Sequence, residues 1–386
     1  MKVFYILSSS SIIGGSSRSF LDYITEMNNR KDIELMVSVP CKGPAYDILR
    51  EMGILTVLTP VRFNIYPSKK TPLFFIKLFR HLYLSKKSEE ILLSHVNAHK
   101  PDIICTNVSV VNIGYNVAQK LGIPHVYHIR EYQDLDFNMQ IIPSKETFIK
   151  RLQKSYSICI TKGIQRHYAL EECPHSRVIY DGIHINKVEG AINRDGGFLF
   201  VGRLDRSKGI KDVLRAFSSF NKKHSGHELN IAGMAPSISE QVFLENMCQE
   251  LDIKDKVHFL GAINDIDKLM QKAYAVIIAS EFEALGRVTI EAMFNNCLVI
   301  GRDTTGTKEQ FDNGLEITGK EIGIRFKDQD DLAKKMEYAK ELSLDDYKAI
   351  TTRARDVVGK LYTPKICAES IYQFFRQIIQ TEKSKK

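Results

Sequence analysis

AYAVIIASEFEALGRVTIEAM, residues 273–293, runs from an apolar segment through a polar loop into a pattern of helical period. The segment 274–279 is short and rich in Val and Ile, as a buried strand is. Leu285, Val288 and Ala292 then recur at helical spacing and mark a core-facing stripe. A strand passing through a loop into a helix is the unit from which parallel α/β sheets are assembled. Two acids stand in this stretch: Glu283 falls in the loop, and Glu291 in the first turns of the helix, beside the stripe. Ser280 with Glu283 three residues on has the form of a capping box, which explains an acid by helix initiation. The sharper reading is a ligand site. A carboxylate accepts two hydrogen bonds from the vicinal hydroxyls of a sugar or ribose, and Gly286 lets the backbone amide approach a phosphate.

The same rhythm extends in both directions. KVFYILSS, IELMVSV, ILTVLTP, PDIICTN, PHVYHI and YSICIT precede it, with a long helical stretch from about residue 72 to 99; FLFVG, ELNIAG, VHFLG and CLVIG accompany it in the second half. The alternation stops at RVIYDGIHINKVEGAINRDGG, residues 177–197, which places a boundary near Asp181. A chain of 386 residues exceeds one ordinary core. Two doubly wound parallel-sheet domains of α/β class are therefore expected, residues 1–180 and 181–363. In open sheets of this kind ligands sit beyond the carboxyl ends of the strands, so the loops after strands carry the chemistry.

Composition narrows the classes. With 44% hydrophobic and 26% charged residues and no short-period repeat, the chain reads as folded and soluble. Seven scattered cysteines without a C-x-x-C pair fit a reduced, cytosolic setting. The apolar start VFYILSS is too short for a secretion signal, and no run reaches the roughly 18 apolar residues of a membrane span. Neither G-x-G-x-x-G nor G-x-x-x-x-G-K-[ST] occurs, which counts against a dinucleotide oxidoreductase and a P-loop NTPase. No metal-ligand spacing and no Ser-His-carboxylate set is evident. The net charge of +8 is uneven: residues 1–180 hold 23 Lys and Arg against 15 Asp and Glu, and residues 181–386 hold 31 against 31. An anionic partner is expected for the first half.

Three further loops and one helix carry candidate chemistry. After FLFVG, the loop RLDRSKGI brings Arg203 and Lys208 to a helix entry at Gly209, an arrangement suited to a diphosphate; a merely basic, solvated loop is the alternative. SSSSIIGGSSRSF ends the first strand, and Gly14 and Gly15 either clear space for a ligand or make a tight turn. HIREY places His128, Arg130 and Glu131 at another strand end, where His128 suits hydrogen-bond donation, proton transfer or a structural role. SKKTPLFFIKLFRHLYLSKKSEE sets Phe75, Leu78, Phe79 and Leu82 on one helical face and Lys77, Arg80, His81 and Lys87 toward the other. That is the pattern of a helix in a membrane interface, or of one docked on a sheet with its charges solvated. Charges beside Phe and Leu on a helix, rather than base-stacking aromatics on strands, favour the membrane over nucleic acid.

FLFVGRLDRSKGI, ELNIAG, VHFLG, SEFEALGRVTIEAM and LVIGRDTTGTKEQ occur in one order, and this set resembles the retaining family-four glycosyltransferases of the GT-B fold. The resemblance spans roughly residues 177–311; in the first half it rests on the Gly-Gly loop and HIREY. It implies two Rossmann-like domains facing a cleft, the first binding acceptor and the second donor, with a C-terminal helix, about 364–381, crossing back onto the first. By position Glu283 would contact hydroxyls of the transferred sugar and Glu291 the ribose. Arg203 and Lys208 would hold the diphosphate, with the backbone at Leu285 and Gly286 near the phosphates. Gly15, with Gly14, would lie near the donor phosphates and acceptor, His128 near the reacting sugar, and Arg130 and Glu131 toward the acceptor. FNNC after the EAM segment, and Asp181 where Asn is usual, depart from the family pattern.

The implied activity is hexosyl transfer, with retention and without a metal ion or other cofactor, from a nucleotide diphosphate sugar, expected to be a UDP-sugar. The implied acceptor is a growing glycan, lipid-linked if the basic half meets an anionic membrane, as in capsule or other surface polysaccharide synthesis on the cytoplasmic face. A sugar-nucleotide epimerase or soluble-acceptor synthase would keep the fold with another reaction. A non-catalytic binding protein of an assembly is disfavoured by the joint presence of Glu283, Glu291, Arg203 and Lys208.

Overall fold

The computed structural model describes residues 1–67, 74–137, 139–184 and 196–385. The chain forms two compact units, residues 1–182 with 363–386, and residues 183–362.

The first unit contains β1 (Lys2–Leu7), β2 (Glu34–Val39), β3 (Leu55–Leu58), β4 (Ile65–Pro67), β5 (Ile103–Asn107), β6 (His125–Ile129), β7 (Met139–Ile141), β8 (Tyr156–Cys159) and β9 (Ser176–Val178). Seven of them form a parallel sheet in the order β3-β2-β1-β5-β6-β8-β9, and β4 pairs antiparallel with β7. A parallel sheet is covered on both faces, so its strands are apolar throughout instead of alternating. In β1, Val3, Tyr5 and Leu7 enter one core, and Phe4 and Ile6 the other.

Two terminal elements close the first core. The helix Gly15–Asn28 contributes Phe20, Tyr23, Ile24 and Met27, and the helix Pro364–Ser384 contributes Ile371, Phe374, Phe375 and Ile378. The last helix starts cleanly: Thr363 accepts the Ile366 N–H at 3.3 Å, and Pro364, with no N–H to satisfy, takes the first position. Its Phe375 ring lies 6.1 Å from that of Tyr5. Each such side chain contributes about 1.5–3 kcal/mol by leaving water, which ties the chain terminus to the first unit.

On the other face lie the helices Phe74–His99 and Ile113–Leu121. Only the second half of the long helix is buried there, through Ser88, Leu92 and Val96.

The second unit contains β10 (Phe198–Val201), β11 (Leu229–Ala232), β12 (Val257–Gly261), β13 (Ala275–Ile278), β14 (Leu298–Arg302) and β15 (Ile324–Phe326), parallel in the order β12-β11-β10-β13-β14-β15. The Ile183 N–H donates to the Tyr362 carbonyl at 2.9 Å, so this unit begins and ends at one point.

Each strand order reverses once beside a central strand, between β1 and β5 in the first sheet and between β10 and β13 in the second. At such a reversal successive loops leave the carboxyl edge in opposite directions and open a crevice.

Candidate active site

The reversal in the second sheet is bordered by the loops after β10 and β13. The first of these turns through Arg206–Lys208 to Gly209, whose φ is +72°. A Cβ at Gly209 would stand 2.3 Å from the carbonyl oxygen of Ala279, so only glycine allows the two loops to touch. That contact brings Lys208 to Glu283: Nζ donates to Oε1 at 2.5 Å, and the Ser280 hydroxyl donates to the same oxygen at 2.8 Å. Both charged side chains are about four-fifths buried.

The start of the helix Thr305–Thr318 fixes the Glu283 backbone. Its N–H donates to Thr305 Oγ1 and its carbonyl accepts from Gly306 N–H, each at 2.9 Å. The Gln310 amide donates to the carbonyls of Leu285 and, at 3.2 Å, Gly286. Gly286, at φ +82°, caps the helix Arg287–Phe294, its carbonyl accepting the Thr289 N–H at 3.1 Å.

The capping box expected at Ser280 does not form. The helix begins seven residues later, and Ser280 holds the Glu283 carboxylate instead of a backbone amide. The buried face of the helix is Thr289, Ile290, Ala292 and Met293, with Val288 only half-buried. Glu291 projects beside it, 3.7 Å from Arg287 Nε on the preceding turn. Arg203 shares the Lys208 loop but leaves 73% of its side chain exposed, paired with Asp205 at 3.2 Å.

At the corresponding edge of the first sheet the glycine loop is open and the charged groups are enclosed. Gly14 caps the helix Gly15–Asn28 at its start and is open to solvent, with nothing within 4 Å of a Cβ placed there. His128, at the end of β6, is wholly buried. Arg130 bonds Asp181 and donates from Nε to Asn107 Oδ1 at 3.1 Å. Arg130 Nη2 also faces His128 Nδ1 at 3.5 Å, and His128 Nε2 faces Asp181 Oδ1 at 3.7 Å. Burial, reinforced by the Arg130 charge, pushes the His128 pKa well below the usual imidazole range. The ring is therefore neutral at pH 7. A guanidinium only donates, so Nδ1 accepts and the proton sits on Nε2. Glu131 is buried as well, its Oε1 accepting from the Ser109 amide and hydroxyl at 2.7 Å each and from the Val110 amide at 3.2 Å.

Residues 184–357 match the family model described as glycosyl transferases group 1. Over 300 residues the chain is 30% identical to the O-antigen chain mannosyltransferase RfbU of Salmonella typhimurium, a match covering 76% of this chain and 80% of that one. The chain belongs to the group 1 glycosyltransferases.

This glycosyltransferase is also 22% identical, over 80% of its length and 81% of the relative's, to a Campylobacter jejuni α-1,4-N-acetyl-D-galactosaminyltransferase whose name gives a diNAcBac-PP-undecaprenol-linked glycan. Some other curated relatives match over short stretches, of which the transferase spans 32% and 28% of the length. Its fold resembles that of Anabaena HepE, solved with UDP, at a TM-score of 0.77 and 17% identity over 98% of this chain and 100% of that one. The two parallel-sheet units are those of the GT-B fold.

Two parts of this edge escape sequence reading. The segment 108–112 after β5 borders the first reversal, is buried throughout and includes Val108 at φ +115°, yet it continues the apolar run without a turn signal. In the second unit a cavity of about 450 Å³ lies between the ends of β11 and β12, lined by Met234, Ile238 and Phe259. Its sequence signal is the glycine that ends each strand motif, in ELNIAG and VHFLG. Among the described residues, no three His, Cys, Asp or Glu side chains are placed to hold a metal ion, and no helix is long and apolar enough to cross a membrane.

Proposed function

We propose that this glycosyltransferase moves a hexose, with retention of configuration, from a nucleotide diphosphate sugar of the UDP class to a hydroxyl of a lipid-linked glycan at the inner face of the cell membrane. The observation that carries the reading is the Lys208–Glu283 pair, held beside the start of the helix Arg287–Phe294 at the strand-order reversal. Lys208 and Ser280 both bond Oε1 of the Glu283 carboxylate, so Oε2 accepts from hydroxyls of the transferred sugar. The diphosphate lies against Lys208 and the amides near Leu285 and Gly286, and Arg203 swings in from solvent. Glu291 takes the ribose, and the apolar cavity at Met234 and Phe259 takes the base.

Catalysis then rests on positioning and electrostatics. Negative charge grows on the leaving diphosphate, where the two cations stabilise it more than in the ground state. Departure and attack share one face of the sugar: the leaving oxygen accepts the proton of the incoming hydroxyl, configuration is retained, and neither a protein nucleophile nor a metal ion or other cofactor takes part. In the first unit Gly14 and Gly15 stand at the solvent-open start of the helix Gly15–Asn28, and His128 is held neutral at the end of β6. Arg130 and Glu131 act on the acceptor through the loops they hold. A UDP complex of a protein with the same fold, and the undecaprenol-linked glycan named for a relative, support the choice of donor and acceptor classes.

Titration of UDP tests the donor assignment. Lys208→Ala should weaken UDP by about tenfold, the worth of one charge-assisted contact, while Glu283→Ala weakens UDP less, by loosening Lys208, and abolishes preference for the sugar nucleotide. Equal UDP affinity in the wild type and Lys208→Ala overturns it. The anomeric configuration of the product, read by proton NMR, decides retention.

A further inference from the structure

The first half of the helix Phe74–His99 is unpartnered. Phe75, Ile76, Phe79, Leu82 and Tyr83 are 50–72% exposed, while the same helix buries Ser88, Leu92 and Val96 further on. Phe75, Phe79, Leu82 and Lys86 recur at steps of four, three and four residues, which places them in one line along the helix. An apolar line in water thus ends at a lysine.

That lysine, itself exposed, borders a cavity. Leu82 and Lys86 line a space of about 340 Å³ within the first unit, together with Lys120, Arg151, Asn64 and Asn112. One carboxylate lines it too, and Glu89 is spent on Lys120 at 3.0 Å and on the Asn116 amide. Among the described residues Lys86 and Arg151 make no ion pair; the Arg151 guanidinium lies 5.8 Å from the centre of the Tyr115 ring, so neither cation has a carboxylate. The Asn112 Oδ1 accepts from the Tyr127 hydroxyl at 3.0 Å, so its amide N–H groups remain to donate. Asn112 also ends the loop at the strand-order reversal, and the Asn64 N–H donates to Val110 in that loop at 2.7 Å. Residues 62–100 hold 8 Lys and Arg against 2 Asp and Glu, six of the eight excess positive charges of the first half.

We propose that the cavity and the line leading into it are an acceptor subsite for an amphiphile in which a phosphate or diphosphate joins an apolar chain to a glycan. The chain lies along Phe75, Phe79 and Leu82. The phosphate meets Lys86 and Arg151, which offer a point charge and a planar fork. The first sugar meets the amides of Asn112 and Asn64. A free sugar would leave the apolar line exposed, and a simple hydrocarbon would leave the cations unpaired; only a ligand with both parts satisfies both. The inference rests on the reading of the acceptor as lipid-linked and adds where it binds.

Farnesyl diphosphate, inorganic diphosphate and farnesol serve as probes, titrated into protein carrying Lys208→Ala and held in excess UDP, so that the weakened donor site is filled before the diphosphates are added. Farnesyl diphosphate should bind at least about tenfold tighter than either of the others, since each half contributes a contact. Lys86→Glu with Arg151→Gln should lose about tenfold toward both diphosphates. Phe79→Ser with Leu82→Ser should erase the advantage of the farnesyl chain and leave inorganic diphosphate unchanged. Circular dichroism of each variant establishes that it folds. Unchanged farnesyl diphosphate affinity in the Lys86 and Arg151 variant overturns the subsite. Equal competition by phosphatidylglycerol vesicles also overturns it, in favour of a face that docks on bulk lipid. Loss of UDP binding, read separately in protein with native Lys208, touches only the donor assignment.

Discussion

Both units place an Arg or Lys opposite a carboxylate at the carboxyl edge of the sheet, and they treat the pair in opposite ways. In the second unit Lys208 and Glu283 keep 24% and 20% of their side-chain surface; in the first, Arg130 and Asp181 keep 2% and 4%. A pair that retains water-facing surface can exchange a partner for a ligand at modest cost. A pair stripped of water cannot, because its attraction serves to repay desolvation. The second edge is thus a place for binding, and the first is a fixture that holds His128 and the segment 107–112 in one geometry. Charge alone does not mark a functional site in this protein; charge with residual exposure does.

Breaking the fixture should have the largest effect. Arg130→Ala removes the buried guanidinium from Asp181, and the first unit should lose about 3–5 kcal/mol, measured by denaturant unfolding. Arg130→Lys, which cannot reach Asn107 and Asp181 together, should fall between. A loss under about 1 kcal/mol would show that the pair is as replaceable as a surface one, and the contrast between the edges would vanish.

The binding edge should show the reverse pattern. Lys208→Ala and Glu283→Gln should each lower turnover roughly 10²- to 10³-fold, the range for removing one preorganised contact to a charged transition state. Stability should change by no more than about 1 kcal/mol, since the pair is partly solvated. If unfolding midpoints fall as far as in Arg130→Ala, Lys208–Glu283 is a second fixture.

The sequence makes this contrast half visible. Strands are legible because parallel sheets need continuous apolar runs, and the loops with Arg203, Lys208 and Glu283 are legible because polar residues and glycines interrupt those runs. Burial of the loops is not legible. Ser280 and Glu283 have capping-box spacing, but the Gly286 turn postpones the helix and turns the serine hydroxyl toward the carboxylate. His128, Arg130 and Glu131 look as available as Lys208 in sequence. Their enclosure depends on Asn107, Ser109 and Asp181, which come from separate segments. The exposed line Phe75–Phe79–Leu82 has the periodicity of a buried helix face; tertiary packing covers only the half around Leu92 and Val96.

Acid should act on the first unit more than on the second. Burial pulls the His125 pKa down to about 3 and that of His128 well below its ordinary value. Unfolded imidazoles titrate near 6.5. Below that pH the unfolded chain binds protons that the native chain excludes, so stability is complete above about 6.5 and falls as pH drops. Each ring contributes up to about 1.4 kcal/mol per pH unit, for His125 down to a pH of about 3. Amide exchange at pH 7.5, 6.5 and 5.5 should show first-unit amides losing protection, with a shallower slope in His125→Asn. Equal loss in both units would sink the assignment.

The smallest effect should come from Arg203, which tests the exposure rule at its limit. Arg203 leaves 73% of its side chain exposed and pairs with Asp205 at the surface, so Arg203→Ala should leave the unfolding midpoint unchanged. Its guanidinium contributes to function only by leaving Asp205 for the diphosphate, a motion that costs side-chain entropy on each binding event. A mobile cation should therefore matter several-fold less than Lys208, which Glu283 and Ser280 already hold in place. The expected outcome is a donor KM raised a few-fold with nearly unchanged kcat. An effect as large as that of Lys208→Ala would mean that preorganisation by Glu283 adds nothing, and that the two cations grip the diphosphate as equals.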